Sequence, residues 1–258
     1  MFFESFTAMD VAEPLASFDA DTDARKVQTF MAAREFDLVG VRVDGLVCGY
    51  VRREELGDGV CGDVLREFTP EDDLVSDTGS LIEVVQSLSI NRQCFITTLD
   101  AVIAIVTLDD LEKPPMRMFL FGLITLSEML ITEVIRCRYP NDCWQSRLSE
   151  QRLAKAQELQ KERMRRGQTP DLIDCLQYGD KGWILSYDEA VCGALGWESR
   201  NEARKVIREL ETLRNNLAHV QEIIPSGWKR IVIACNRLDD NLKNLLGRLD
   251  EISQPMHD

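Results

Sequence analysis

The chain has 258 residues, enough for two ordinary domains, and its 45% hydrophobic and 29% charged residues are typical of a globular protein rather than a disordered one. Its net charge of −14 is unevenly distributed. Residues 1–113 contain 23 acidic and 9 basic residues, whereas residues 114–258 contain 21 of each. The acidic half is a poor surface for nucleic acid, because phosphate contacts need Lys and Arg. The change of composition at Pro114 predicts domains of residues 1–113 and 114–258.

Targeting and cysteine signals predict a cytoplasmic protein without a membrane partner. The first ten residues lack the basic start and apolar stretch of a signal peptide. The longest apolar run, residues 119–126, is too short to cross a bilayer and is soon followed by Glu128, so we expect a buried helix. The eight cysteines form no Cys-x-x-Cys pair and only two histidines are present, so we predict no metal site. Such thiols are typical of a reducing compartment.

The first half contains two copies of one pattern of secondary structure. Residues 39–43 and 47–51 predict a pair of strands, and residues 94–98 and 102–106 predict the same pair 55 residues later. Each pair follows a helical segment and precedes an acidic helix start, which gives a β-α-β-β-α repeat. One copy buries its own apolar face poorly, whereas two copies packed together bury it well. The cleft between the copies is then a natural ligand site.

Local signals support the turns and helices of these copies. Asp44 and Gly45, between the first two strands, are a strong signal for a two-residue hairpin turn. Ser80 and Glu83 form a capping box that opens the helix of the second copy.

The second half predicts only helices, so we expect an all-α helical bundle after Pro115 and an α+β protein as a whole. Capping boxes that begin at Ser186 and Ser199 open two of these helices. The other predicted helices span residues 116–138, 146–166 and 228–252. The basic run from Lys161 to Arg166 is typical of a solvated helix end.

The end of the second copy resembles the signature that closes a CBS repeat. That signature is an apolar strand, a Thr, two residues, an Asp and a Leu, and residues 104–111 carry it. Residues 8–113 as a whole resemble a CBS pair. The resemblance implies that an adenosine nucleotide binds in a cleft between the copies as a regulatory ligand, with Thr107 and Asp110 hydrogen-bonding the ribose. In the alternative reading, Asp110 only caps a helix and Thr107 only ends a strand.

Other residues extend or depart from this pattern. Phe95 and Ile96 are candidates to flank the base. In the first copy Arg52 stands in place of the Thr and Glu55 in place of the Asp. One of the two clefts is therefore expected to be degenerate, and Arg52 is a candidate to bind phosphate there.

His219 is the only histidine outside the C-terminal tail, and it follows Arg214 and Asn215 on a capped helix. These residues resemble the Arg-x4-His signature of HEPN domains, and the resemblance covers roughly residues 116–252. It implies a metal-independent endoribonuclease whose composite cleft forms between the two subunits of a homodimer.

The chemistry of these three side chains suits that reaction. An imidazole transfers protons near neutral pH, and the guanidinium of Arg214 stabilises a negatively charged phosphate. Asn215 could orient His219, since residues four apart share a helix face. Arg214 and His219 lie about 140° apart around an ideal helix, so they converge only if the helix ends near His219 or if Arg214 reaches round. The buried stripe of this helix is predicted to be Val206, Leu210, Leu213 and Leu217.

Three hypotheses follow. The first is a nucleotide-gated endoribonuclease that acts on RNA and needs no cofactor for catalysis. The second is a non-catalytic adaptor that senses adenosine nucleotides and whose helical domain dimerises or binds a partner. The third, a toxin paired with an antitoxin, needs gene context.

Overall fold

The computed structural model describes residues 6–69 and 74–219, which form two compact units. The first unit ends at Phe119 and the second begins at Leu120, within one long helix. The change of composition at Pro114 therefore marks the start of that helix. The helix predicted at residues 228–252 lies outside the described residues.

The first unit has two four-stranded sheets among its described residues. Its strands are β1 (Glu13–Pro14), β2 (Ser17–Asp19), β3 (Leu38–Val43), β4 (Leu46–Arg52), β5 (Arg66–Glu67), β6 (Leu74–Ser76), β7 (Gln93–Thr98) and β8 (Ala101–Thr107), and its helices are α1 (Ala24–Ala33) and α2 (Leu81–Ile90). The strand orders are β2-β3-β4-β5 and β1-β8-β7-β6. Each copy therefore contributes its short first strand, β1 or β5, to the sheet of the other copy.

The registers of the two hairpins confirm the repeat. Val39 faces Val51 in one hairpin, and Cys94 faces Val106 in the other. Both hairpins interrupt their register at the equivalent place, after Val41 in the first and 55 residues later in the second. The two copies thus share the same register shift at equivalent residues.

The predicted hairpin turn and helix start are also confirmed. Asp44 and Gly45 have φ values of 51° and 83°, the left-handed conformation that a type I′ turn requires. The Ser80 hydroxyl accepts a hydrogen bond from the backbone N–H of Glu83 at 3.2 Å and opens α2.

The closing helix predicted for each copy is instead a short 3₁₀ turn, at Arg53–Glu55 and at Leu108–Glu112. The backbone becomes extended at Leu56 and at Lys113, directly after these turns. Lys113 precedes Pro114, and a residue before proline is driven out of the helical conformation.

Within residues 120–219 the regular elements of the second unit are all helices, and no strand occurs among them. Its helices are α3 (Pro114–Arg138), which begins in the first unit, α4 (Glu150–Arg165), α5 (Tyr178–Leu185), α6 (Glu189–Ala194) and α7 (Arg200–Ala218). Ser199 caps α7 as predicted, accepting from the backbone N–H of Glu202 at 3.2 Å.

The prediction that Ser186 caps a helix is wrong, because Asp188 opens α6. Its carboxylate accepts from the backbone N–H groups of Ala190 and Val191. The same carboxylate also receives two hydrogen bonds from Arg138, at 2.7 and 3.0 Å, in an ion pair that is almost fully buried.

By length and composition, α3 would be able to cross a membrane, with a mean hydropathy of 1.8 over its most apolar window. Half of that window is buried inside the structure, as is also the case for the core helix of a soluble protein.

Candidate functional sites

A cleft of about 740 Å³ lies in the first unit beside the closing turn of the second copy. This volume is within the range of small-molecule sites. Three of the residues predicted to bind nucleotide, Thr107, Asp110 and Arg52, line the cleft. Arg52 was predicted to bind phosphate in the cleft of the first copy, but it lies in the same cleft as the residues that close the second copy.

The carboxylate of Asp110 is buried, and both of its oxygens have partners within the protein. One oxygen accepts from the backbone N–H of Thr107 at 2.6 Å and from its hydroxyl at 3.0 Å. The other oxygen lies 2.8 Å from the ammonium of Lys113. Asp110 thus caps the closing turn, as the alternative reading expects. Only the oxygen that faces Lys113 still has a lone pair with which to accept a ligand hydroxyl.

Lys113, which the sequence did not single out, joins this carboxylate to β1. Its ammonium donates to the carboxylate of Glu13 at 2.5 Å and to the carbonyl of Val11 at 2.7 Å. Burial alone would lower the pKa of this ammonium, but its hydrogen bonds to Asp110 and Glu13 raise the pKa above its usual value. Lys113 is one of only two lysines in residues 1–113, and this rarity was the one feature of the sequence that could have pointed to it.

Phe95 and Ile96, predicted to flank a base, are buried in the core and do not line the cleft. They lie on β7, an inner strand whose side chains are covered by the rest of the sheet and its packing. The ring of Phe95 contacts Tyr50 and Phe68, with centroids 5.1 and 4.8 Å away. The apolar residues that do line the cleft are Pro14, Leu15, Ala16, Phe36, Leu38, Ile90, Ile105 and Leu108.

Three arginines at the cleft form no ion pair with a carboxylate of residues 6–69 or 74–219. They are Arg34 after α1, Arg92 after α2 and Arg52 at the end of β4. Arg34 and Arg92 were missed because nothing in the sequence brings the two helix ends together. The cleft also contains acidic side chains, those of Glu13, Glu35, Asp37, Asp109 and Asp110. A phosphate would nevertheless find three guanidinium groups without a carboxylate partner.

The equivalent carboxylate in the first copy, that of Glu55, forms an ion pair with an arginine. Arg66, on β5, hydrogen-bonds both carboxylate oxygens of Glu55, one of them at 2.9 Å. This hydrogen bonding holds the pKa of Glu55 below its usual value, and the nearby charge of Arg52 adds to the effect. The residue at the position of Asp110 is therefore already neutralised in the first copy.

The Arg-x4-His residues lie on the surface of the second unit. Helix α7 ends at Ala218, and His219 follows as an exposed cap whose backbone N–H donates to the Asn215 carbonyl at 3.0 Å. The helix end that convergence of Arg214 and His219 requires is thus present. The predicted buried stripe is confirmed, since Val206, Leu210, Leu213 and Leu217 are all buried.

Arg214 has an acidic neighbour, Glu128, which in the sequence was noted only because it follows the apolar run of residues 119–126. Its Nε lies 3.6 Å from one carboxylate oxygen of Glu128, on α3. The other oxygen of Glu128 accepts from the Lys181 ammonium at 3.0 Å. Glu128 therefore positions the half-exposed guanidinium of Arg214, whereas Asn215 and His219 are exposed.

No protein-family model matches the chain, and no curated protein is similar to it. Solved structures of CBS-domain proteins match its N-terminal part. The structure of CBSX2 in complex with AMP is 19% identical and covers 41% of this chain and 92% of its own, with a TM-score of 0.35. The CBS domain of the bacterial CNNM/CorC family Mg²⁺ transporter in complex with ATP is 10% identical, covers 42% and 85%, and has a TM-score of 0.35. A conserved CBS domain protein of unknown function from Thermoplasma acidophilum is 18% identical, covers 45% and 74%, and has a TM-score of 0.35.

Proposed function

We propose that this chain is a nucleotide-sensing regulatory protein, in which the cleft of the first unit binds an adenosine nucleotide and the helical unit produces the output. The observation that carries this proposal is the combination, in one cleft, of the Thr107 and Asp110 pair with three arginines that form no ion pair within the described residues. A carboxylate accepts hydrogen bonds from ribose hydroxyls, and guanidinium groups bind phosphate oxygens. AMP and ATP, which two of the similar structures hold, are the first ligands to test.

Calorimetric titration of the full chain with AMP, ATP and adenosine tests this proposal. We expect one site per chain, with both nucleotides binding more tightly than adenosine. Arg92→Ala should weaken AMP and ATP about tenfold and leave adenosine unchanged, because Arg92 would contact only phosphate. Arg25→Ala, which removes the same charge on α1 at a residue that does not line the cleft, is the control. Absence of binding, or equal losses in both variants, would reject the cleft as the nucleotide site.

For the helical unit we propose that Arg214, Asn215 and His219 form a metal-independent endoribonuclease site. In such a reaction the 2′-oxygen of RNA attacks the adjacent phosphorus and the bond to the 5′-oxygen breaks, which leaves a 2′,3′-cyclic phosphate and a 5′-hydroxyl. One imidazole takes the proton from the 2′-hydroxyl and a second donates one to the leaving oxygen. The guanidinium stabilises the phosphorane charge. The exposure of Asn215 and His219 and the half-exposed guanidinium of Arg214 support this proposal.

Two imidazoles require two subunits, so the nuclease proposal includes a homodimer. Large apolar side chains are exposed on one face of α3, where Phe121 and Met129 lie two turns apart and are 43% and 61% exposed. Phe121→Glu should turn a dimer into a monomer in light scattering. A monomeric wild-type chain would reject the composite site.

Incubation of the full chain with RNA in EDTA separates the enzyme from the adaptor. The nuclease proposal predicts cleavage that is lost in His219→Ala and in Arg214→Ala and kept in His257→Ala, which removes the other histidine. Intact RNA in every sample, together with nucleotide binding, would favour the non-catalytic adaptor. Cleavage that persists in all three variants would reveal a contaminating nuclease.

A further inference from the structure

A second cavity, of about 460 Å³, lies within the helical unit between α4, α5 and α7. Neither proposed function uses it. Its ionisable lining is mostly basic and consists of Arg152, Lys155, Arg204 and Arg208 with Asp180 and Glu211. This size suits a small ligand rather than a protein segment.

Most of the positive charge in this cavity has no internal partner. Arg152 forms an ion pair with Asp180 at 2.8 Å. Lys155, Arg204 and Arg208, in contrast, form no ion pair with any carboxylate in the described part of the chain. These three cations leave the cavity positive even after the single charge of Glu211 is counted.

The carboxylate of Glu211 lies at the start of α5. It lies so close to Gly179 that a Cβ at that position would meet both carboxylate oxygens, at 2.8 and 2.9 Å. A negative charge at a helix N-terminus is stabilising, because the first backbone N–H groups there lack partners. Glu211 therefore lies where a negative charge favours the helix, and it forms no ion pair with the three cations within the described residues.

Arg204 gives the clearest sign of a missing ligand. Its guanidinium lies 4.1 Å from the ring centroid of Trp183, and its Nε is buried without an acceptor in the protein. The indole N–H of Trp183 donates to the carbonyl of Arg147 at 3.1 Å, which fixes the ring and hence the guanidinium. A buried donor without a partner is unfavourable, and a ligand oxygen would supply the acceptor.

We propose that this cavity binds the phosphoryl group of a small phosphorylated molecule. A monocarboxylate would carry only one charge, whereas a phosphate ester or pyrophosphate carries two or more and so better matches the three cations that lack an ion pair. Its oxygens also fit the planar donor fork of arginine. Arg204 covers one face of Trp183, so recognition depends on charge and hydrogen bonding rather than on stacking of a base.

The probe for this site is inorganic pyrophosphate, titrated calorimetrically into the full chain. Arg208→Ala should weaken binding about tenfold or more, and Arg204→Lys, which keeps the charge and removes the planar fork, should weaken it several-fold. Arg165→Ala is the matched control, because it removes an exposed charge at the end of the same α4 that lines the cavity. Circular dichroism would confirm that each variant folds.

Two further arms identify the site and the ligand. If pyrophosphate binding survives in Arg92→Ala, the binding site is this cavity and not the cleft of the first unit. This test does not depend on whether the protein cleaves RNA. The proposal fails if Arg208→Ala and Arg204→Lys bind as the wild type does, if only Arg92→Ala loses binding, or if no binding occurs at millimolar concentration. A short RNA without terminal phosphates that displaces pyrophosphate would reassign the cavity to a polynucleotide and overturn the small-ligand proposal.

Discussion

The two copies in the first unit share a backbone plan but reverse a charge at one equivalent position. Glu13 on β1 faces Ile105, and Arg66 on β5 faces Tyr50, which lies 55 residues before Ile105. At this position of the second sheet Glu13 forms an ion pair with Lys113, whereas in the first sheet Arg66 forms an ion pair with Glu55. The same scaffold therefore holds one carboxylate, Glu55, that pairs with an arginine on the edge strand, and one, Asp110, that pairs with Lys113 and lines the open cleft.

The close approach of β5 to β4 accompanies this difference. A Cβ at Gly49 would lie 2.1 Å from the carbonyl oxygen of Arg66. The equivalent residue in the second copy is Ala104, which faces Pro14 on β1 and accommodates its methyl group. The glycine thus allows β5 to lie closer and to bring Arg66 to Glu55. Pseudosymmetry in the backbone does not imply two equal ligand sites.

The largest difference between the two copies is expected for the stability of Gly49→Ala. The added methyl group must displace β5, so the variant should lose about 1–3 kcal/mol of unfolding free energy. Ala104→Gly, at the equivalent position, should lose only about 0.5–1 kcal/mol. Urea unfolding of the full chain, followed by circular dichroism, measures both. A smaller loss in Gly49→Ala than in Ala104→Gly would mean that the two edge strands pack alike.

The next effect concerns the two carboxylates. Asp110→Asn keeps the shape of the side chain and removes its charge, so AMP should bind about tenfold more weakly, as the loss of one charge-assisted hydrogen bond of about 1.5 kcal/mol implies. Glu55→Gln, the matched change in the first copy, should alter AMP affinity less than about twofold. Calorimetric titration compares them. Equal losses would show that the first copy also takes part in binding.

A gain of binding would sharpen the comparison further. Replacing Glu55 by Asp and Arg66 by Ala together should free the first carboxylate and create a second, weaker site. The stoichiometry of AMP binding should then rise from one per chain towards two in calorimetry, while the single change Glu55→Asp should leave it at one. If the double variant also binds one AMP, the ion pair is not what closes the first cleft.

The sequence predicted what local chemistry determines. The repeat spacing, the Asp44–Gly45 turn and the starts of α2 and α7 depend on hydrophobic periodicity, on residues that tolerate positive φ and on side chains that cap helices. The buried stripe of α7 follows in the same way from the helical period.

The features that the sequence did not predict depend on distant contacts. The choice of Asp188 over Ser186 as a cap is supported by Arg138, 50 residues away. The partner of Lys113 on β1 is 100 residues away. The burial of Phe95 depends on β7 being an inner strand of its sheet. The strand order follows from the exchange of β1 and β5 between the copies, and these two-residue strands are too short to show a hydrophobic pattern in the sequence. The basic cavity likewise combines three helices.

The smallest expected effect is the pH dependence of the Glu55–Arg66 pair. Because hydrogen bonds from Arg66 lower the pKa of Glu55 in the folded state, this pair stabilises the protein fully above the unfolded pKa and loses its contribution as the pH falls through the folded value. The wild type should therefore lose more stability than Glu55→Gln between about pH 5 and pH 3. The difference should be small, since the side chains are 27% and 48% exposed and solvent screens the pair. Urea midpoints at several pH values measure it, with Glu54→Gln as the neighbouring control; parallel curves for the wild type and Glu55→Gln would show that this ion pair contributes nothing in solution.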